Sequence, residues 1–266
     1  MTLYMIGLGL GDKEDITLKG LNAIEHCELI FLENYTSILN NTLEELEDFY
    51  EKKIILASRE LVEKESDQIL EPAKTKNVAF LVVGDVFGAT THTDLFLRAK
   101  EKKIDVHIIN NTSILNAVGI TGLELYKFGK TTSIVFEDDN WLPETPYKAI
   151  QENLERGLHT LCLLDIKVAE PSKENLKKGI NKPEKPRFMT INEAIKILRK
   201  LEQKIKSKII LDKTLCVGVA RLGNNFKIKS GTIFELENYD FGAPLHSIII
   251  VGKLHEIEKE MLNIYK

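Results

Sequence analysis

Through the first half of the chain, short apolar runs alternate with segments whose apolar residues recur every three or four positions, as strands alternating with helices require. Leu3 to Gly7 reads as a first strand. Thr17 then offers its hydroxyl as a helix cap, and Leu18, Leu21, Ala23 and Ile24 form the expected inward stripe of that helix. A strand at Leu29 to Leu32, a helix near Leu43 to Tyr50, a short strand at Ile54 to Leu56 and a helix near Ser66 to Lys74 follow. "VAFLVVGD" is a continuous apolar run, as a strand covered on both faces of a parallel sheet must be. "THTDLFLRAKEKK" predicts a helix, "DVHIINN" a strand, and "TSILNAVGITGL" a short helix opened by Thr112 or Ser113.

The pattern changes from "KFGKTTSIVFEDDN" onward. A helix at about Pro146 to Arg156, the strand "HTLCLLDI" and the helix "INEAIKILRKLEQKI" are followed by runs joined through turn residues: "LCVGVARL", "FKIKSGTIFEL" and "HSIIIVGK". Such runs read as strands that pair as a meander, so the second sheet is expected to be mixed. Two α/β domains are therefore predicted, residues 1–111 with a mainly parallel sheet and a glycine-rich loop, and residues 112–266 with a mixed sheet. "EPSKENLKKGINKPEKPR" holds three of the seven prolines and few large apolar groups, which predicts an exposed loop.

Composition narrows the function classes. The 266 residues are 43% hydrophobic and 29% charged, with a formal net charge of -4 that argues against general or sequence-specific nucleic-acid binding. The chain opens on a strand-like segment rather than a signal peptide, and no apolar run reaches the roughly 18 residues of a membrane span, so a cytoplasmic protein is expected. Cys27, Cys162 and Cys216 are isolated among apolar residues, which favours reduced, buried thiols over a disulfide framework or a metal knuckle.

Candidate chemistry begins at "GLGLGDKED". A dinucleotide fingerprint needs Gly-x-Gly-x-x-Gly running straight into a helix, whereas Gly7, Gly9 and Gly11 are evenly spaced and Asp12 to Ile16 intervene before the cap at Thr17. Glu33 imitates the ribose-binding acid of such folds and strengthens the decoy. A Walker loop fails as well, since neither Ser nor Thr stands beside Lys13. The glycines instead permit close backbone approach at a strand's carboxyl end, where open α/β sheets bind ligands. "LVVGDVFGATTHTDL" and "NNTSILNAVGITG" place further Gly, Asp, Ser and Thr residues after two more strands, which predicts one composite pocket. With neutral donors, one acid and no Arg or Lys clamp, that pocket suits an adenosine ligand bearing a positive centre better than a polyphosphate.

Taken together, "YMIGLGLGDKEDITLKGL", "ENYTS", "VGDVFGATTHTDL", "NNTSILNAVGITGLELYKFGK", "NW" at Asn140 and Trp141, "RGLHTLCLLDIK" and "LHSIIIVGKLHEIEKEML" resemble the diphthine synthase family. That family lies within the tetrapyrrole-methylase-like class of S-adenosylmethionine-dependent methyltransferases. The resemblance spans nearly the whole chain and implies a homodimer of two-domain α/β subunits with S-adenosyl-L-methionine in the interdomain cleft. By analogy, cofactor contacts fall on Leu10, Asp85, Gly88, Ser113, Ile114, Leu164, the "ARLG" turn at Ala220 to Leu222, and His246, many through backbone groups. Two departures stand out: "GDVFG" replaces a Pro-containing turn, and the loop at 170–187 is longer than usual. The implied substrate is the histidine of translation elongation factor 2 that carries a 3-amino-3-carboxypropyl group, successively methylated on its amino nitrogen to diphthine. The same architecture also suits a methylase of a tetrapyrrole or corrin precursor, and a pocket without chemistry would make a nucleotide-sensing module.

Individual residues keep two readings each. Asp85 either pairs with a cationic or hydroxyl part of the cofactor or caps backbone amides in a Gly-Asp turn. His92 is either a base or a hydrogen-bonded residue at a helix start. Glu33, Tyr35, Thr36 and Ser37 line the acceptor side or pack a strand end, and Trp141 serves packing or an interface rather than stacking. Lys173, Lys177, Lys178, Lys182, Lys185 and Arg187 form either a solvated loop or a docking surface for elongation factor or its RNA. No residue is singled out to take the amine's proton, and no metal is expected.

Overall fold

The computed structural model describes residues 1–138, 141–168 and 185–266, and contacts divide the chain into two units, Met1–Ala117 and Val118–Lys266. The first contains β1 (Thr2–Gly7), α1 (Leu18–Glu25), β2 (Leu29–Glu33), α2 (Leu43–Tyr50), β3 (Ile55–Ala57) and α3 (Arg59–Glu63). It continues with α4 (Asp67–Ala73), β4 (Val78–Val82), α5 (Thr93–Glu101), β5 (Asp105–Ile109) and α6 (Ile114–Ala117). The strands lie in the order β3-β2-β4-β1-β5, and every pairing is parallel. Because successive strand residues point to opposite faces, Leu3, Met5, Phe31 and Phe80 pack with Leu70 and Leu95 on one side, while Ile6, Ile30, Ala79 and Leu81 pack with Ile24 and Leu46 on the other. β4 is buried along its whole length and flanked on both sides, as its unbroken apolar run requires.

Local capping chemistry sets the helix starts. The Thr17 hydroxyl accepts from the Gly20 amide at 3.1 Å, and Thr42 forms a reciprocal capping box with Glu45. Leu18 departs from the expected inward stripe: it is 79% exposed. Gly20 and Ile24 are buried in α1, while Leu21 and Ala23 pack partly against the same core. Helix α3, opened by Ser58 accepting from the Leu61 amide, is not legible in the apolar pattern.

The second unit contains β6 (Thr132–Ile134), α7 (Thr145–Glu155), β7 (Thr160–Leu164), β8 (Ile166–Lys167), β9 (Arg187–Phe188) and α8 (Ile191–Ile205). After these come β10 (Leu215–Ala220), β11 (Lys227–Thr232), α9 (Ile233–Glu237), β12 (His246–Ile250) and α10 (Glu256–Ile264). Its main sheet runs β11-β10-β12-β7-β6, with β6 parallel to β7 and the other pairings antiparallel, the mixed sheet expected. Helix α8 buries Ile191, Ala194, Ile195, Ile197, Leu198 and Leu201 on one face and starts at a Thr190–Glu193 capping box.

"FKIKSGTIFEL" is strand only as far as Thr232; its second part is α9, because Thr232 and Glu235 close a capping box that competes with the apolar alternation. The expected loop at 170–187 lies outside the described residues up to 184, as does Asn140. All three cysteines are free and buried, and burial pushes the Cys27 thiol up to about 11. Among the described residues no helix is long and apolar enough to cross a membrane.

Candidate active site

The carboxyl ends of β1, β4 and β5 leave the parallel sheet at one level, since Gly7 pairs with Val82 and Ile6 with Ile109. Beyond that level Gly9 and Gly84 exchange backbone hydrogen bonds of 3.1 and 2.7 Å, tying the glycine loop to the turn after β4. The Gly11 amide donates to Asp15 Oδ2 at 2.8 Å, and a 3-10 turn at Lys13–Asp15 separates the loop from α1. The loop therefore does not open directly onto a helix N-terminus, the geometry a dinucleotide phosphate needs.

Asp85 holds this edge together. Its Oδ1 accepts from the Phe87 amide at 2.9 Å, and its Oδ2 accepts from the Asn111 amide and the Asn110 side chain, both at 3.0 Å. Burial pushes the carboxyl's proton affinity up, but these donors, together with the Gly88 amide, outweigh it and hold Asp85 below its ordinary value. Asn111 in turn donates to the Gly7 and Asp15 carbonyls, each at 3.0 Å. The two asparagines are structural members of the site to which the sequence pattern alone assigns no role.

Gly88 and the buried Ser113 stand so close that a Cβ on the glycine would lie 2.5 Å from Ser113 Cβ. Ser113 opens α6, its amide donating to Asn116 Oδ1 at 2.8 Å, and Ile114 is the first helical residue. Gly84, at φ +86°, is different: a Cβ there would meet only Leu10 Cδ2 at 3.6 Å and the Thr112 carbonyl at 3.8 Å. Beside the Gly84 backbone there is thus space for about one methyl group, in ordinary contact with Leu10 and Thr112, while Gly88 is packed against Ser113 and Asp85.

In the second unit Leu164 ends β7, Ala220 ends β10 and His246 begins the antiparallel β12. Ala220 pairs with His246 and Leu163 with Ser247, which gathers Leu164, Ala220 to Leu222 and His246 at one end of that sheet. The Ile191 amide donates to His246 Nδ1 at 3.4 Å, so Nε2 carries the hydrogen and donates to the Ala243 carbonyl at 2.9 Å. Burial lowers its proton affinity further. The imidazole is a neutral structural connector.

Glu33 and His92 form a second polar cluster in the first unit. Glu33 ends β2 with its side chain fully buried; Oε1 accepts from the Thr36 hydroxyl, and Oε2 lies 3.9 Å from Nε2 of the equally buried His92. His92 stands edge-on to Phe80 and Tyr35, and neither ring nitrogen nor Glu33 Oε2 has a hydrogen-bond partner among the described residues. The expectation of a hydrogen-bonded His92 therefore fails. Burial raises the Glu33 carboxyl to about 7 despite opposing bonds from Thr36, and burial lowers His92 to about 4.

Of the remaining candidates, Trp141 is 56% exposed and exchanges backbone bonds with Asp138. Arg187 lies 3.8 Å from the Phe136 ring centroid and donates to Glu193 at 3.0 Å, so part of the charge at the loop's end is already engaged. Lys173, Lys177, Lys178 and Lys182 lie outside the described residues.

A sequence model of the tetrapyrrole (corrin/porphyrin) methylases matches residues 2–237. The chain belongs to that family and is an S-adenosylmethionine-dependent methyltransferase. A diphthine methyl ester synthase from Bos taurus is 52% identical over 269 residues, covering 99% of this chain and 94% of the relative. One from Saccharomyces cerevisiae is 55% identical over 263 residues, covering 98% and 88%. A crystal structure from Entamoeba histolytica, assigned as a diphthine synthase, superposes with a TM-score of 0.89 at 45% identity, covering 100% of this chain and 98% of that one.

Proposed function

We propose that the protein methylates the amino nitrogen of the 3-amino-3-carboxypropyl histidine on translation elongation factor 2, in successive transfers from S-adenosyl-L-methionine, on the route to diphthamide. The observation that carries this reading is identity of about half, over essentially the whole chain, to proteins that make diphthine methyl ester. Their product carries an ester as well, so the acceptor's carboxylate is proposed to receive a methyl group here too.

S-adenosyl-L-methionine supplies a methyl group already activated on a sulfonium. What this chain must add is position: donor methyl and acceptor nitrogen held in line, with water kept away. The turn around Gly84 would hold the nucleoside through backbone groups of Leu10, Gly88, Ser113 and Ile114, with Asp85 keeping that turn in place. Leu164, Leu222 and His246 are proposed as further contacts, His246 through its backbone. We also propose a cytoplasmic homodimer.

Incubation with labelled S-adenosyl-L-methionine and precursor-bearing elongation factor 2 should place label on the factor. Label appearing only on a precorrin-type macrocycle would replace the reading with the small-molecule one, and binding without transfer would leave a sensing module. Asp85→Ala should weaken cofactor binding more than about tenfold, because loss of one carboxylate removes several hydrogen bonds at once. Calorimetry reads this directly, and an unchanged dissociation constant would remove Asp85 from the site.

A further inference from the structure

Methylation at nitrogen requires a lone pair, so an ammonium acceptor must shed one proton before each transfer. Two carboxylates stand at the carboxyl edge of the parallel sheet, and their surroundings push their proton affinities in opposite directions. Asp85 is committed to three donors within 3.0 Å and sits below its ordinary value, which makes it a poor base. Glu33 is sealed from solvent and lacks a partner at Oε2, which leaves one carboxylate oxygen to take a proton.

Glu33 leaves the sheet at the level of that edge. Leu32 is opposite Leu81 and Gly7 opposite Val82, so β2, β4 and β1 end together. Thr36 is partly exposed while Glu33 and His92 are buried, and its hydroxyl donates to Glu33 Oε1. An ionised carboxylate in this enclosure is unfavourable, and so is an imidazole without partners. Once Glu33 has taken a proton, that hydrogen can be aimed at His92 Nε2 after an approach of about 1 Å from the present 3.9 Å, which removes the carboxylate charge and gives Nε2 a donor, while Nδ1 keeps no partner among the described residues.

We propose that Thr36, Glu33 and His92 form a proton relay for the acceptor amine, with Thr36 receiving the proton at the surface and Glu33 holding it against His92. The N–H bond of the acceptor ammonium breaks, its electron pair stays on nitrogen, and its proton goes to Thr36 Oγ1. The step starts from a molecule whose Glu33 is ionised: the Thr36 hydroxyl hydrogen passes to Glu33 Oε1, and rotation of the now neutral carboxyl turns the acid hydrogen toward His92 Nε2. The freed nitrogen pair forms the N–CH3 bond while the S–CH3 pair stays on sulfur. After release the proton returns to solvent by the same path.

The charged groups facing the cluster are Arg59 and Glu63 of α3. Arg59 lies 5.4 Å from the Tyr35 ring centroid and lowers Glu33, and Glu63 acts on Tyr35. From β4 the cluster meets the apolar Phe80. With Glu33 raised to about 7, the relay is matched to neutral pH.

The relay rests on the functional reading above, and single-turnover transfer of labelled methyl to precursor-bearing elongation factor 2, run at neutral and strongly alkaline pH, separates the two. Thr36→Val and Glu33→Gln should slow transfer by about tenfold or more at neutral pH, the usual scale of lost acid–base assistance. Both should approach the wild-type rate at alkaline pH, where the amine is already neutral, with cofactor affinity unchanged. Thr36→Ser, which keeps the hydroxyl, should restore most of the loss. Equal losses at both pH values would make these residues structural, and no loss at neutral pH would remove the relay. A wild-type protein that transfers no label would overturn the functional reading and the relay together.

Discussion

Glu258→Ala is expected to destabilise the C-terminal unit by about 3–5 kcal/mol, the usual loss when one partner of a buried ionic network is deleted. Glu258, on α10, is fully buried and accepts from the His255 amide at 2.7 Å, the Glu124 amide at 3.0 Å, His159 Nε2 at 2.9 Å and Lys127 Nζ at 2.5 Å. The His159 hydrogen position follows from its other nitrogen, which accepts from the Gly252 amide at 3.0 Å. Deletion strands all four donors.

Burial pushes Glu258 up, but the donors outweigh it and bring its carboxyl down to about 2. Its contribution is therefore complete above the unfolded value of 4.5 and is lost as pH falls toward 2. Urea unfolding at neutral pH measures the loss. A variant within about 1 kcal/mol of wild type would show that the network is not what fastens α10.

Replacing one member of the Glu33–His92 pair at a time should tilt the stability of the N-terminal unit with pH in opposite directions. Glu33 is raised from 4.5 to about 7, so its contribution is complete below 4.5 and fades as pH rises through 7. His92 is lowered from 6.5 to about 4, so its contribution is complete above 6.5 and fades as pH falls through 4. In the wild-type protein the two slopes oppose each other over the shared range.

With His92→Gln the His92 contribution is absent, and stability relative to wild type should rise on going from pH 6.5 to 4. With Glu33→Gln the Glu33 contribution is absent, and stability relative to wild type should fall on going from pH 7 to 4.5. Each change is about 3 kcal/mol, because a tenfold change in a group's proton affinity on folding is worth about 1.4 kcal/mol. Hydrogen exchange of the β4 amides in the full chain reads both. Parallel profiles for the two variants would contradict the pairing.

What the sequence discloses is mostly local. The Thr190–Glu193 capping box and the 3.6-residue stripe behind it announce α8 because both act within one helix. The unbroken apolar run of β4 announces a central strand for the same reason. Misreadings arise where two local signals compete: the alternation in "GTIFEL" suggests a strand, while Thr232 and Glu235 cap a helix. Helix α10 is capped by His255, outside the usual Ser, Thr, Asp and Asn caps, and the pattern does not announce it.

The site is legible residue by residue but not as an arrangement. "GD" predicts a turn at Asp85, yet its partners Asn110 and Asn111 are fixed by strand order, with β1 lying between β4 and β5. Glu33 and His92 meet through the same tertiary geometry. No spacing along the chain relates them.

That strand order also governs how the protein can be made. β1 leaves the ribosome ahead of the other described strands, but its neighbours are β4 and β5, which end at Val82 and Ile109. At ordinary synthesis rates of about 5–20 residues per second, Leu3, Met5, Ile6 and Leu8 wait roughly 5–20 s without their final cover. β1 pairs first with β4, and its other edge stays open until β5 adds to it at the end of the sheet. A nascent chain stalled before β5 would expose an apolar ribbon, which makes translation pausing in that interval a hazard for aggregation.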